Sequence, residues 1–174
     1  MFPGRKIFLI GFMGSGKSTV GRKLAARLGW SFIDLDDRIE EKAGMKIPEI
    51  FKEKGEAWFR EMESTILHDL VNYTDFVVST GGGAPCYDDN MDFMLRSGLT
   101  VYLKLTPAQL KERLIKSKTV RPLLKNINAS ELINFISQKL QEREKWYSRA
   151  SITIDGFEID ISHLISLVRQ WKEQ

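Results

Sequence analysis

Ile7-Phe8-Leu9-Ile10-Gly11-Phe12-Met13-Gly14-Ser15-Gly16-Lys17-Ser18-Thr19 is the stretch on which the reading of this chain turns. Its first four residues are an apolar run suited to a buried strand, and Gly11 to Ser18 follow the pattern G-x-x-x-x-G-K-[ST]. Val20, Leu24, Ala25 and Leu28 then recur at helical spacing. Strand, glycine loop and helix in that order are the context in which the pattern works as a phosphate-binding loop. The glycines let backbone N–H groups wrap around phosphate oxygens, and the helix N-terminus adds a favourable dipole. Lys17 supplies a point charge to the terminal phosphates, and the Ser18 hydroxyl suits Mg²⁺. The stretch implies a nucleoside triphosphate site and leaves open where the phosphate goes.

Working outward, the apolar runs Ile7–Ile10, Phe32–Leu35, Phe76–Ser79, Thr100–Leu105 and Ile152–Ile154 alternate with helical patterns. That alternation predicts an α/β fold in three layers: a central parallel sheet of five strands with helices on both faces. Thr106-Pro107-Ala108-Gln109 offers an N-cap, a proline at the first helical position and a capping-box glutamine. Gly29 closes the first helix, and Gly44 closes the segment from Asp37. Leu132, Ile133, Ile136 and Leu140 mark a helix reaching Trp146, and Leu164, Leu167, Val168 and Trp171 mark the inward face of a last helix over Asp160–Trp171.

The 174 residues make one domain with room for a full core. A net charge of +3 from 26 basic and 23 acidic residues is too balanced to argue for nucleic acid or a membrane surface. Cys86 is the single cysteine, so an internal disulfide is excluded, and no apolar run approaches the roughly 18 residues of a membrane helix. Arg5 and Lys6 before a short apolar run superficially resemble a signal peptide, but the run ends in the phosphate loop and reads as the first strand. A cytoplasmic enzyme is the expectation.

Beyond the loop, four places carry chemistry. Asp34-Leu35-Asp36 ends the second expected strand, and carboxylates at i and i+2 share one side of an extended chain. They either face the phosphates together, one near Mg²⁺ and one taking a proton, or cap the next helix. Arg60 and Glu63 lie one helical turn apart. They are either a surface ion pair or a fixed guanidinium ready for a carboxylate. Gly81-Gly82-Gly83 after the strand Phe76–Ser79 permits either close approach of a ligand or a flexible turn. Lys111 to Lys125 holds six basic residues (Lys111, Arg113, Lys116, Lys118, Arg121, Lys125) against one acid, Glu112, around a helix-breaking segment, Ser117–Pro122. It is either a solvated face or a mobile basic loop.

Taken together, the phosphate loop with Gly16-Lys17-Ser18-Thr19, the D-x-D of Asp34 and Asp36, the F-R-x-x-E of Phe59, Arg60 and Glu63, and Gly81–Gly83 resemble the shikimate kinases. Arg121-Pro122-Leu123 resembles that family's lid motif, and Leu140-x-x-Arg143-x-x-x-Tyr147 its late substrate-arginine motif. The resemblance, which spans Ile7 to Tyr147, implies a nucleoside-monophosphate-kinase-like P-loop domain over 1–174, an acceptor-binding segment at about 34–63 and a mobile lid at about 114–126. It implies transfer of the γ-phosphoryl of ATP to the 3-hydroxyl of shikimate, in aromatic amino-acid biosynthesis.

The resemblance also assigns roles. Gly14, Ser15, Gly16, Lys17, Ser18, Thr19 and Arg121 would bind ATP, and Asp36, Lys17 and Arg121 would be catalytic, with Asp36 as the base. Asp36, Arg60, Gly82 and Arg143 would bind shikimate, and Ser18 and Asp34 would serve Mg²⁺. The implied partners are ATP or ADP and shikimate, in a monomer. The family often has a basic residue packing on adenine after the last strand, whereas Asp155-Gly156-Phe157-Glu158 has none. Phe157 either stacks on the base or anchors the last helix in the core. The alternatives are a gluconate or nucleotide kinase of the same branch, a nucleotide switch, disfavoured by the missing N-K-x-D pattern, and an inactive homologue, disfavoured by the retained set of charged residues.

Overall fold

The computed structural model describes residues 5–117 and 121–172, so Lys118, Thr119 and Val120 of the expected lid lie outside the described residues. In chain order the first half of the fold is β1 (Lys6–Ile10), α1 (Lys17–Leu28), β2 (Ser31–Asp34), α2 (Leu35–Ala43), α3 (Ile47–Glu53), α4 (Glu56–Asp69) and β3 (Phe76–Ser79). The second half is α5 (Asn90–Ser97), β4 (Leu99–Lys104), α6 (Pro107–Lys116), α7 (Leu132–Tyr147), β5 (Ile152–Asp155) and α8 (Ile161–Lys172). All neighbouring strands run parallel in a five-stranded sheet of order β2-β3-β1-β4-β5. The order reverses at β1, whose carboxyl end opens directly into the phosphate loop, and such a switch point leaves a crevice for a ligand.

Alternation along the strands splits the core in two. Ile7 and Leu9 of β1 join Val77 of β3 and Val101 of β4 against Val20 and Leu24 of α1 and Leu164 and Val168 of α8. Phe8, Ile10, Phe76, Val78 and Tyr102 face the other way, onto Ile39, Phe59, Leu67, Met94 and Tyr147. With both faces covered, the strands read as continuous apolar runs. Truncating a side chain such as Leu24, 0 % exposed, would cost about 2–5 kcal/mol in transfer and cavity terms. A third cluster packs Phe12 and Met13 of the phosphate loop on Leu110 and Leu114 of α6 and Leu132 and Ile136 of α7.

The caps fall where the sequence signs them. Gly29 and Gly44 end α1 and α2 in left-handed geometry, and Thr106 with Gln109 closes a capping box on α6. Two expectations shift. Leu35 is not in a strand: it begins α2 with its side chain fully buried, because Asp34 accepts the Asp36 N–H at 3.0 Å and turns the chain into the helix. On α8, Leu164 and Val168 are buried as expected, whereas Ile165 and Trp171 pack at the margin and Leu167 is half-buried. Among the described residues, no helix is long and apolar enough to cross a membrane.

Candidate active site

The crevice at the carboxyl end of the sheet is a cleft of about 650 Å³. Its floor is the phosphate loop. Gly16 sits at φ 91°, where a side chain would be strained, and a Cβ there would lie 3.1 Å from an Arg113 Nη1. Lys17 is buried, and its ammonium donates to the carbonyls of Gly11 and Phe12 at 2.8 Å each. Burial, reinforced by the charges of Arg121 and Arg143, pushes its pKa down to about 7, against the pull of Asp36 and Asp34. Gly14, Ser18 and Thr19 open onto the cleft, while Ser15 is tucked beneath the loop, 1 % exposed.

Opposite the loop stand the two aspartates: both line the cleft, and one of them caps the next helix. Asp34 caps α2 and also accepts the Ser18 hydroxyl at 2.5 Å, with the Ser79 hydroxyl 3.0 Å from Ser18 Oγ. Asp36, in the first turn of α2 rather than on an extended chain, still faces the cleft. Burial and then the Asp34 carboxylate raise its pKa, opposed by Lys17, Arg121 and Arg60. Ser18, Asp34 and Ser79 offer hard oxygen donors. Among the described residues no three carboxylate, histidine or cysteine side chains come together as a cage, so this donor set fits a hard cation that takes its other ligands from phosphate and water.

The far wall holds a guanidinium pair. Arg60 is not a surface residue: its side chain is 12 % exposed and donates to the fully buried Glu63 at 2.9 Å. Glu63 keeps its other oxygen without a partner, and burial raises its pKa to about 7 despite Arg60. Arg143 lies over the Phe12 ring at 5.3 Å and has one buried guanidinium nitrogen without a partner. The glycines are there for space. Gly83 leaves only 2.6 Å between a hypothetical Cβ and the Arg60 guanidinium carbon, and a Cβ on Gly81 would collide with the Glu63 carboxylate. Ile47, Phe51, Phe59 and Pro122 supply an apolar wall; Phe59 and Pro122 lie in quoted motifs, whereas Ile47 and Phe51 were not singled out, since such residues look like core in a sequence.

Toward β5, Arg121 lines the cleft with its Nε buried and unpartnered. Burial lowers its pKa, against Asp36 and Asp34. Phe157 is 43 % exposed, so it does not anchor α8. A basic group reaches its loop from α6: Arg113 donates to the Ser15 carbonyl at 3.0 Å and to the Gly156 and Phe157 carbonyls at 3.0 and 2.9 Å. Its guanidinium lies 5.8 Å from the centre of the Phe157 ring. The only sequence signal for Arg113 was its place in the basic run.

One cleft therefore joins a phosphate loop, a half-buried aspartate and a guanidinium pair. The family model described as shikimate kinase matches residues 13–165. The chain belongs to the shikimate kinase family. A shikimate kinase of Parabacteroides distasonis is 48 % identical over 152 residues, covering 87 % of this chain and 88 % of that protein. The crystal structure of shikimate kinase from Bacteroides thetaiotaomicron superposes with a TM-score of 0.88 at 41 % identity, covering 98 % of this chain and 99 % of that one. Shikimate kinase from Acinetobacter baumannii in complex with shikimate has a TM-score of 0.85 at 34 % identity, covering 98 % and 96 %. ATP-dependent phosphoryl transfer to shikimate is the activity that family membership gives this chain, and the gluconate, nucleotide-switch and inactive readings give way to it.

Proposed function

We propose that Asp36 is the base of this reaction and that the two ends of the cleft divide the substrates between them. The carrying observation is that the Asp36 carboxylate feels Lys17 and Arg121 on the phosphate side and Arg60 on the acceptor side. A pKa raised toward working pH makes it a better proton acceptor than a free aspartate. ATP phosphates would lie on Gly14–Thr19, with Lys17 and Arg121 neutralising charge on the transferring group. Arg60 and Arg143 would hold the shikimate carboxylate as charge-assisted donors, with the Gly82 backbone beside them. The 3-hydroxyl oxygen then forms the new bond to the γ-phosphorus as the bond to the β,γ-bridging oxygen breaks. Its proton passes to Asp36. Ser18 and Asp34 would hold Mg²⁺, which would supply positive charge against the phosphates.

We read residues 34–63 as the acceptor-binding segment and about 114–126 as a lid, in a single cytoplasmic kinase domain. Among the described residues the exposed large apolar side chains are Val71, Tyr73, Ile115 and Phe157, a small set that supports a monomer, which light scattering would check. The test of the reaction is ADP release measured with ATP alone and with shikimate, gluconate or nucleoside monophosphates. Shikimate alone should stimulate it. Asp36→Asn should lower kcat by about 10²–10⁴ with ATP affinity within twofold, and near-normal turnover would remove Asp36 from the role.

A further inference from the structure

The Gly81–Gly83 turn is asymmetric in its hydrogen bonding. The Gly81 carbonyl accepts the Ala84 N–H at 3.1 Å, and the Gly83 carbonyl accepts the Cys86 N–H at 3.0 Å. The Gly82 carbonyl cannot be reached from within the turn and is taken instead by the Tyr147 hydroxyl at 2.5 Å. The N–H groups of all three glycines donate to nothing among the described residues. A trans peptide points its N–H opposite to its carbonyl. With each carbonyl already accepting one hydrogen bond and each N–H free among the described residues, what the turn chiefly offers a ligand is donors, which suits an anion or an electron-rich oxygen.

The Tyr147 hydroxyl serves the Gly82 carbonyl and also interacts with the Arg143 guanidinium. Tyr147 is fully buried, its ring packs on Tyr102 with centroids 5.0 Å apart, and it ends α7 one turn after Arg143. A Cβ on Gly82 would lie 3.2 Å from Arg143 Nη1 and 3.1 Å from the Met13 nitrogen, so the anchored peptide sits between the guanidinium and the phosphate loop. The next stretch is pinned from the opposite side. Buried Asn90 donates to the Ala84 carbonyl at 2.9 Å and accepts from Ser64 at 2.7 Å, and Ser64 follows Arg60 by one turn on α4.

We propose that Tyr147 is a positioning residue for the acceptor: its hydroxyl fixes the Gly82 peptide so that the glycine N–H groups and Arg143, both carried or anchored by α7, present one rigid donor surface to shikimate. This rests on the reading that the Gly82 backbone contacts the acceptor. Asn90 is the second clamp on the same turn. Tyr147 is fully buried and does not line the cleft, so loss of its hydroxyl should be felt through the turn and by one substrate only.

The experiment is Tyr147→Phe with full kinetics for both substrates. Shikimate KM and shikimate Kd should rise about tenfold, with ATP KM and kcat at saturation within twofold. Tyr102→Phe is the control for the same aromatic pair: its hydroxyl serves Glu144, and shikimate KM should stay within twofold. An unchanged shikimate KM in Tyr147→Phe overturns the proposal, and so does an equal loss for both substrates. Should Tyr147→Phe fail to fold, Asn90→Ala, which removes the second clamp without placing a charge in the core, decides on the same criteria. Gly82→Ala separates the two ideas. If it leaves shikimate KM unchanged, the underlying backbone contact is wrong; if it raises shikimate KM while Tyr147→Phe does not, only the clamp is wrong.

Discussion

Glu63 illustrates what a single position can conceal. In the sequence it is half of an i,i+3 pair with Arg60, the commonest kind of weak surface contact. In the fold it is fully buried, holds Arg60 with one oxygen and leaves the other bare. That arrangement survives because Gly81 has no side chain. Gly81 lies outside the left-handed region, so any residue could adopt its backbone, and what it supplies is room for the carboxylate. Gly81→Ala should therefore fold normally but push Glu63 aside and turn the Arg60 guanidinium out of register. Shikimate KM should rise by about tenfold or more with ATP KM unchanged. Steady-state kinetics with each substrate varied in turn would check this, and equal effects on both substrates would point to a general loosening of the cleft instead.

Between elements, the decisive connection is Arg113, which ties α6 to the phosphate loop and to the loop after β5 through three carbonyls. Phe157 is left half-exposed beside that guanidinium, a flat surface at the end of the triphosphate cradle suited to a base. Arg113→Ala should raise ATP KM about tenfold and leave shikimate KM within twofold, whereas a loss confined to shikimate would contradict a nucleotide-side role. Arg113 also marks where sequence reading stops. The five strands were legible because sheets covered on both faces need unbroken apolar runs, and the caps at Thr106, Gly29 and Gly44 were legible because their chemistry is local. Arg113 was legible only as part of a basic run and Tyr147 only as the end of a motif; their contacts were not, since the partners are backbone carbonyls 98 and 65 residues away, and a carbonyl has no sequence signature. Asp34-Leu35-Asp36 was legible as chemistry but not as shape, because a capping aspartate reads the same whether the strand ends before or after it.

Across the whole molecule, the order β2-β3-β1-β4-β5 draws distant stretches of chain to one crevice and gathers charge there at a cost to stability. Lys17 shows the cost most clearly. Burial, with Arg121 and Arg143 nearby, brings its pKa from 10.5 to about 7. Between those values the unfolded chain keeps a proton that the folded protein has released, so stability rises with pH across that window, and below about pH 7 the folded state carries the full cost of the buried charge. Lys17→Met removes that charge along with three hydrogen bonds to the loop, so the Tm difference sums a burial cost relieved and bonds lost. The Tm of the variant minus that of the wild type should be most positive at about pH 7 and fall by about 5 °C or more toward pH 10. A difference flat with pH would mean the ammonium is not the costly group. Triphosphate should reverse the balance, because its negative charge restores the lysine proton. Calorimetry of ATP binding at about pH 8, in two buffers of different ionisation enthalpy, should then show proton uptake in the wild type and much less in Lys17→Met.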